Sequence, residues 1–168
     1  MPGDDTVKED VLYKPFSLKR LTDNYPSEQS EGDGTLITVK QLREDVFDNI
    51  DMLFNSRSHP SLEDLKNYEE LNDSVLGFGI SDFCGKQSST ASRANLQEEI
   101  FRQIRLFEPR LDPASITVDF RDSSKTESSS LEFSISGTIK VKEVNEEIAF
   151  ISRLNLESGS AELRLDTN

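Results

Sequence analysis

The sequence predicts an α+β domain, with two main helices packed on an antiparallel sheet of about four strands. Three observations carry this expectation. Apolar residues recur at steps of three and four in two long stretches, one near Val39–Phe54 and one near Ser92–Phe107. From Ser115 onward the apolar period falls to two and stays there to Leu165. Helices come first and strands follow, which is the order of an α+β chain rather than of alternating βα units.

Residues 1–34 are acidic, with glycine and proline and little periodicity, and "SEQSEGDG" (Ser27–Gly34) has the composition of a linker. Within this flexible tail, "YKPFSLKRLTD" carries a short amphipathic patch of Phe16, Leu18 and Leu21. Such a patch either docks onto something or stays disordered. The domain proper is expected over residues 35–168. "TVKQ" (Thr38–Gln41) has the form of a capping box, and Val39, Leu42, Val46, Ile50 and Leu53 make the apolar stripe of the helix that follows, to about Phe54. "NSRSHP" ends it, and "SLEDLKNYEELN" (Ser61–Asn72) predicts a short helix. The next stretch, "DSVLGFGISDFCG", is broken by Gly77, Gly79 and Gly85. Its residues Val75, Leu76, Phe78, Ile80 and Phe83 are apolar, so the loop is expected to lie buried against the core.

The second helix has its stripe at Leu96, Ile100, Ile104 and Phe107. Glu98 and Glu99 lie toward its start, and Arg102 and Arg105 toward its end, as the helix dipole favours. Pro109 biases Glu108 away from helical geometry and stops the helix. Four alternating segments follow: Ile116–Val118–Phe120, then Leu131–Phe133–Ile135 with Ile139 and Val141, then Ile148–Phe150 with Leu154 and Leu156, then Ala161–Leu163–Leu165. Gly137 within the second predicts a bulge, and "KEVNEE" and "ESGS" predict turns. The spacing is that of a meander.

Composition narrows the partners. The chain of 168 residues has 32 acidic and 19 basic side chains, a net charge of -13 and a pI near 4.5. That field repels phosphate backbones, anionic membrane surfaces and anionic wall polymers, so nucleic acid is not an expected partner. No run approaches the length of a membrane span, and no signal sequence is evident at "MPGDDTVKED", so a soluble cytoplasmic protein without membrane insertion is expected. Cys84 is the single cysteine and fits a reducing compartment.

Candidate chemistry is sparse. His59, the single histidine, lies in a Ser/Pro loop, and one histidine with one cysteine cannot supply the usual zinc ligands. No metal, cofactor or catalytic residue is assigned. Glu98 and Glu99 invite a glycosidase reading, but adjacent helical positions point about 100° apart and do not converge. "GFG" and "GDG" are too short for phosphate loops. "FEPRLDP" (Phe107–Pro113) is the remaining candidate. If extended, it puts Glu108 and Arg110 on one face beside a stiff Pro109. Such a corner is either a helix stop with a surface ion pair or a preordered charged dock, in which arginine makes planar two-bond contacts.

Three stretches taken in order, "SLKRLTDNYP" (Ser17–Pro26), "SVLGFGISDFCG" (Ser74–Gly85) and "FEPRL" (Phe107–Leu111), resemble the TssE family. These are type VI secretion baseplate subunits related to the small wedge protein of contractile-phage baseplates. "EEIAFISRLNLESG" is similar to the family's last hairpin. Departures are Gly77-Phe78 for the usual Asn-Tyr, Ile80-Ser81 for Leu-Pro, Phe83-Cys84 for Leu-Ser, and Lys19 for an acidic residue. The resemblance implies a non-enzymatic subunit that sits with TssK, TssF and TssG and starts the polymerisation of the TssB/TssC sheath. It implies that Glu108, Pro109 and Arg110 meet the partners, that the glycine loop braces them, and that Phe16, Leu18 and Leu21 dock the tail. The alternative is a peptidoglycan hydrolase, after the "lysozyme-like" label attached to the family.

Overall fold

The computed structural model describes residues 13–15, 26–27, 36–58, 66–71, 73–82, 90–121, 130–141 and 144–166. The chain forms two compact units, Met1–Val46 and Phe47–Asn168. In the first, Tyr13 is buried and pairs with Ile37 through two antiparallel backbone hydrogen bonds of 2.8 and 2.7 Å. The capping box forms as expected: Gln41 N donates to Thr38 Oγ1 at 3.3 Å, and Thr38 N donates to Gln41 Oε1 at 2.9 Å. It opens helix α1, Val39–Asn55, which continues into the second unit. The tail positions Phe16, Leu18 and Leu21 lie outside the described residues.

The second unit holds the rest of α1, helix α2 (Thr90–Phe107) and four strands: β1 (Thr117–Arg121), β2 (Ser130–Val141), β3 (Val144–Asn155) and β4 (Ala161–Leu165). The sheet is fully antiparallel in the order β1-β2-β3-β4, as the sequence predicts. Its inner face carries Leu131, Phe133, Ile135 and Ile139 of β2 and Ile148, Phe150 and Leu154 of β3, all buried. The end of α1 packs here. Phe47 lies 5.9 Å from Phe150 between ring centres, and Phe54 lies 5.6 Å from Phe133. Leu96, Ile100 and Ile104 of α2 are likewise buried. Asn55 closes the layer: its Oδ1 accepts the Ala161 N–H at the start of β4, 3.1 Å away.

Four local expectations are corrected. Gly137 does not bulge, because it pairs regularly with Ile148. The irregularity lies on the facing segment, where Asp112–Ile116 spans the gap between the Leu111–Ile139 and Thr117–Ser136 pairs. Ser115 Oγ accepts the Thr138 N–H there at 2.8 Å, and the Leu111 methyls face Gly137, where a Cβ would meet them at an ordinary 3.5 Å. Second, the later part of "KEVNEE" is strand, since Val144, Asn145, Glu146 and Glu147 pair with β2, while Lys142 and Glu143 lie outside the described residues. Third, Leu165, at the end of β4, is exposed where the alternation of Ala161 and Leu163 predicts burial.

The fourth concerns the glycine loop. Ile80, Gly77 and Gly79 are buried, but Val75 is 87% and Leu76 57% exposed. Val75–Gly77 is a single 3-10 turn capped by Ser74. So tight a turn cannot aim successive side chains one way, and the glycine goes inward. Phe83 and Gly85 lie outside the described residues. Of the expected short helix, the described part shows helical Lys66–Asn67 and a 3-10 turn at Glu69–Leu71.

Candidate functional site

The last regular bond of α2 runs from Glu108 N to Ile104 O at 2.9 Å. Pro109 has no N–H to continue the ladder. The chain then closes a turn, with Leu111 N donating to Glu108 O at 3.2 Å and Pro109 at the second position, which its fixed φ suits. The segment is therefore a turn, not the extended run in which Glu108 and Arg110 would share a face by alternation.

The two side chains meet nevertheless. Arg110 Nε donates to Glu108 Oε1 at 2.6 Å, and Nη2 donates to Oε2 at 2.6 Å. The Arg110 backbone N–H adds a third bond to Oε1 at 3.2 Å, and Asn49 Nδ2 adds a fourth to Oε2 at 2.9 Å. Glu108 has no solvent exposure, and the Arg110 side chain retains 12%. This replaces the expected surface ion pair. A carboxylate is tolerated in the interior only when paired and fully hydrogen-bonded, and this one is both.

The corner is tied on two further sides. Asn49 Nδ2 also donates to Phe107 O at 3.0 Å, satisfying one of the carbonyls that a helix end leaves open. Lys140 N donates to Arg110 O, and Asp112 N to Thr138 O, both at 2.8 Å, so the turn runs straight into pairing with β2. Asp112 also holds the Lys140 ammonium at 3.3 Å; the Ala114 N–H, and then Lys140, keep its carboxyl below the usual range. Pro109 is exposed at the apex.

The glycine loop meets the same end of α2. Gln103 Nε2 donates to Gly77 O at 2.8 Å, and the Phe78 and Phe107 rings meet edge to face at 5.2 Å. Gly79 has φ +105°, and a Cβ there would stand 2.6 Å from Ser56 O, so only glycine fits. Glu99 grips the far side of the loop, accepting Ser81 N and Oγ at 2.7 Å each. That occupies one of the two carboxylates considered for acid–base chemistry, while Glu98 is exposed. Gly85, His59 and Cys84 lie outside the described residues. Among the described residues no three His, Cys, Asp or Glu side chains cluster as metal ligands would, and no helix is long and apolar enough to cross a membrane.

Sequence reasoning missed Asn49, Gln103 and the grip of Glu99. The signal was present for two of them. Asn49 follows Leu42 and Val46 in core phase, and Gln103 stands between Ile100 and Phe107 in the same way. A polar residue at a buried phase needs a partner.

The fold and corner belong to an α+β domain whose charged turn is neutralised from within. Its family is more specific: the pattern of the baseplate wedge protein gp25 family matches residues 40–144, more than half of the chain, and the chain belongs to that family. The matched span includes α1, the glycine loop, α2, the corner and β2. No curated protein and no solved structure matches the chain.

Proposed function

We propose that this chain is a structural subunit of a type VI secretion baseplate wedge, cytoplasmic, that joins TssK, TssF and TssG and seeds the TssB/TssC sheath. Membership of the wedge family supports a baseplate role. The observation that carries the joint is the buried Glu108–Arg110 clamp, which holds an exposed Pro109 at a fixed angle to α2 and β2. A joint needs this: the charges stiffen the turn instead of reacting. The meander supplies the second half of the role. Among the described residues β4 covers β3 only from Phe150 to Leu154, and the edge of β3 before Ala149 is the one assigned to a strand from a sheath subunit.

Two of the three carboxylates that a hydrolase reading would call on are otherwise engaged, and the third, Glu98, is exposed. Glu99 is bound to Ser81 and Glu108 to Arg110. The proposal assigns no catalytic step. The apolar tail patch at Phe16, Leu18 and Leu21 is assigned to partner docking. The test is genetic and biochemical together. Cells lacking the chain should form no fluorescent sheaths, the wild-type gene should restore them, and the purified chain should release nothing from cell wall. Sheaths that form without the chain, or lytic activity lost in Glu98→Gln, would overturn this reading.

A further inference from the structure

Asn49 stands on α1 in the phase of Leu42, Val46, Ile50 and Leu53, where a hydrocarbon is expected, and it is 3% exposed. A hydrocarbon would pack there without the cost of burying an amide. The asparagine does not even satisfy itself. Its buried Oδ1 accepts no hydrogen bond among the described residues, and such an atom lowers stability. What the residue does supply is Nδ2, and both bonds of Nδ2 end at the corner, on Phe107 O at 3.0 Å and on Glu108 Oε2 at 2.9 Å.

The other ties of the corner differ in kind. The three bonds from Arg110 to Glu108 join residues two apart, so they fix the inner shape of the turn and leave its direction open. The bonds from Lys140 N to Arg110 O and from Asp112 N to Thr138 O fasten the outgoing chain to β2. Asn49 fastens the turn to α1. One amide group that holds a helix-end carbonyl and the next residue's carboxylate fixes the end of α2 and the rotation of the turn together. We infer that Asn49 is the positioning residue of the corner: it sets the direction in which Pro109 points from α1, at some loss of stability. The inference rests on the reading of the corner as a joint to neighbouring wedge subunits.

The test sets Asn49→Leu against the parent in the full chain. Leucine keeps the branched shape and removes both donated bonds. The variant should keep its melting temperature within about 4 °C, because apolar burial and the removal of the orphaned Oδ1 offset the lost bonds. Amide exchange at Arg110 and Leu111 should quicken by about tenfold, while the paired Ile135 and Phe150 keep their rates. Asn49→Ala, which adds no volume, should quicken the same two amides. Co-purification of TssF and TssG with tagged Asn49→Leu should fall about tenfold. Ile135→Val, a core change away from the corner, should keep both partners at any comparable loss of melting temperature. Corner amides that exchange at parental rates would overturn the inference, and so would equal loss of partners by Ile135→Val. Partners retained by Asn49→Leu but lost by Pro109→Asp would overturn it alone. Partners retained by both would mean that the joint reading fails, and this inference with it.

Discussion

Glu108→Ala removes a carboxylate that is fully buried and accepts four hydrogen bonds, three from Arg110 and one from Asn49. Taking away one member of a buried ion pair costs about 3–5 kcal/mol, because the survivor keeps its desolvation penalty. The Arg110 side chain retains 12% exposure, which gives its guanidinium a short route back to water. That route places the cost at the lower end, about 3 kcal/mol. In a chain of this length about 1 kcal/mol shifts the melting temperature by 2–4 °C. The loss should therefore be about 6–12 °C. Thermal melting followed by circular dichroism at neutral pH measures the shift, and urea unfolding measures the free-energy loss. Arg110→Ala should cost a similar amount. The double variant should cost less than the two singles together, by about 1.5 kcal/mol or more, because each single already forfeits the shared bonds. The surface ion pair that the sequence alone allowed would cost little to remove, and the burial of Glu108 is what raises the cost. If Glu108→Ala stays within about 0.5 kcal/mol of the parent, or if the cycle is additive, the clamp behaves as a surface pair and the reasoning fails.

Ile104→Ala should cost about 2–5 kcal/mol because the side chain is fully buried, whereas exposed Arg105→Ala should cost under about 0.5 kcal/mol; equal losses in denaturant titrations would mean that the helix phase is wrong. Gly79→Ala should destabilise by more than about 2 kcal/mol, since it combines φ +105° with a clash against the Ser56 carbonyl, while Gly137→Ala should stay within about 1 kcal/mol, because its Cβ would meet the Leu111 methyls at an ordinary 3.5 Å. Asp51 has its carboxyl pushed up, by burial first and by neighbouring Asp48 second. Its charged form therefore costs stability above its folded pKa, and the cost fades as pH falls through that value. Asp51→Asn should then stabilise by about 0.2–0.5 kcal/mol near neutrality and have no effect in acid, read from melting curves across pH. Asp112 has the opposite sign: its lowered carboxyl, set by the Ala114 N–H and then by Lys140, adds stability above its unfolded value of about 4 and loses it as pH falls further.

The helices and strands were legible because their apolar periods are long and clean, as in Leu96–Ile100–Ile104 and Leu131–Phe133–Ile135. Gly137 was misread because a glycine in a strand pattern suggests a bulge, whereas here it keeps regular pairing with Ile148 and has room for a Cβ beside Leu111. The corner was legible as a helix stop, since Pro109 dictates it. Its burial was not, because Asn49 comes from a helix far away in sequence, and no local pattern announces that two elements will close over a carboxylate. Val75 and Leu76 misled for a related reason: apolar residues between glycines suggest a core loop, but a 3-10 turn with an inward glycine pushes its neighbours out.

The central claim is that a rigid corner presents Pro109 to neighbouring wedge subunits, and Pro109→Asp tests it with least interference from stability. The residue is exposed and contributes no backbone donor, so the variant should keep the helical signal and lose about 1 kcal/mol at most. The measurement is co-purification of TssF and TssG with the tagged chain, parent against variant, at equal expression. The account predicts a folded variant that no longer brings the wedge components down. A folded variant that retains them at parental levels would contradict it and return the corner to an ordinary helix end.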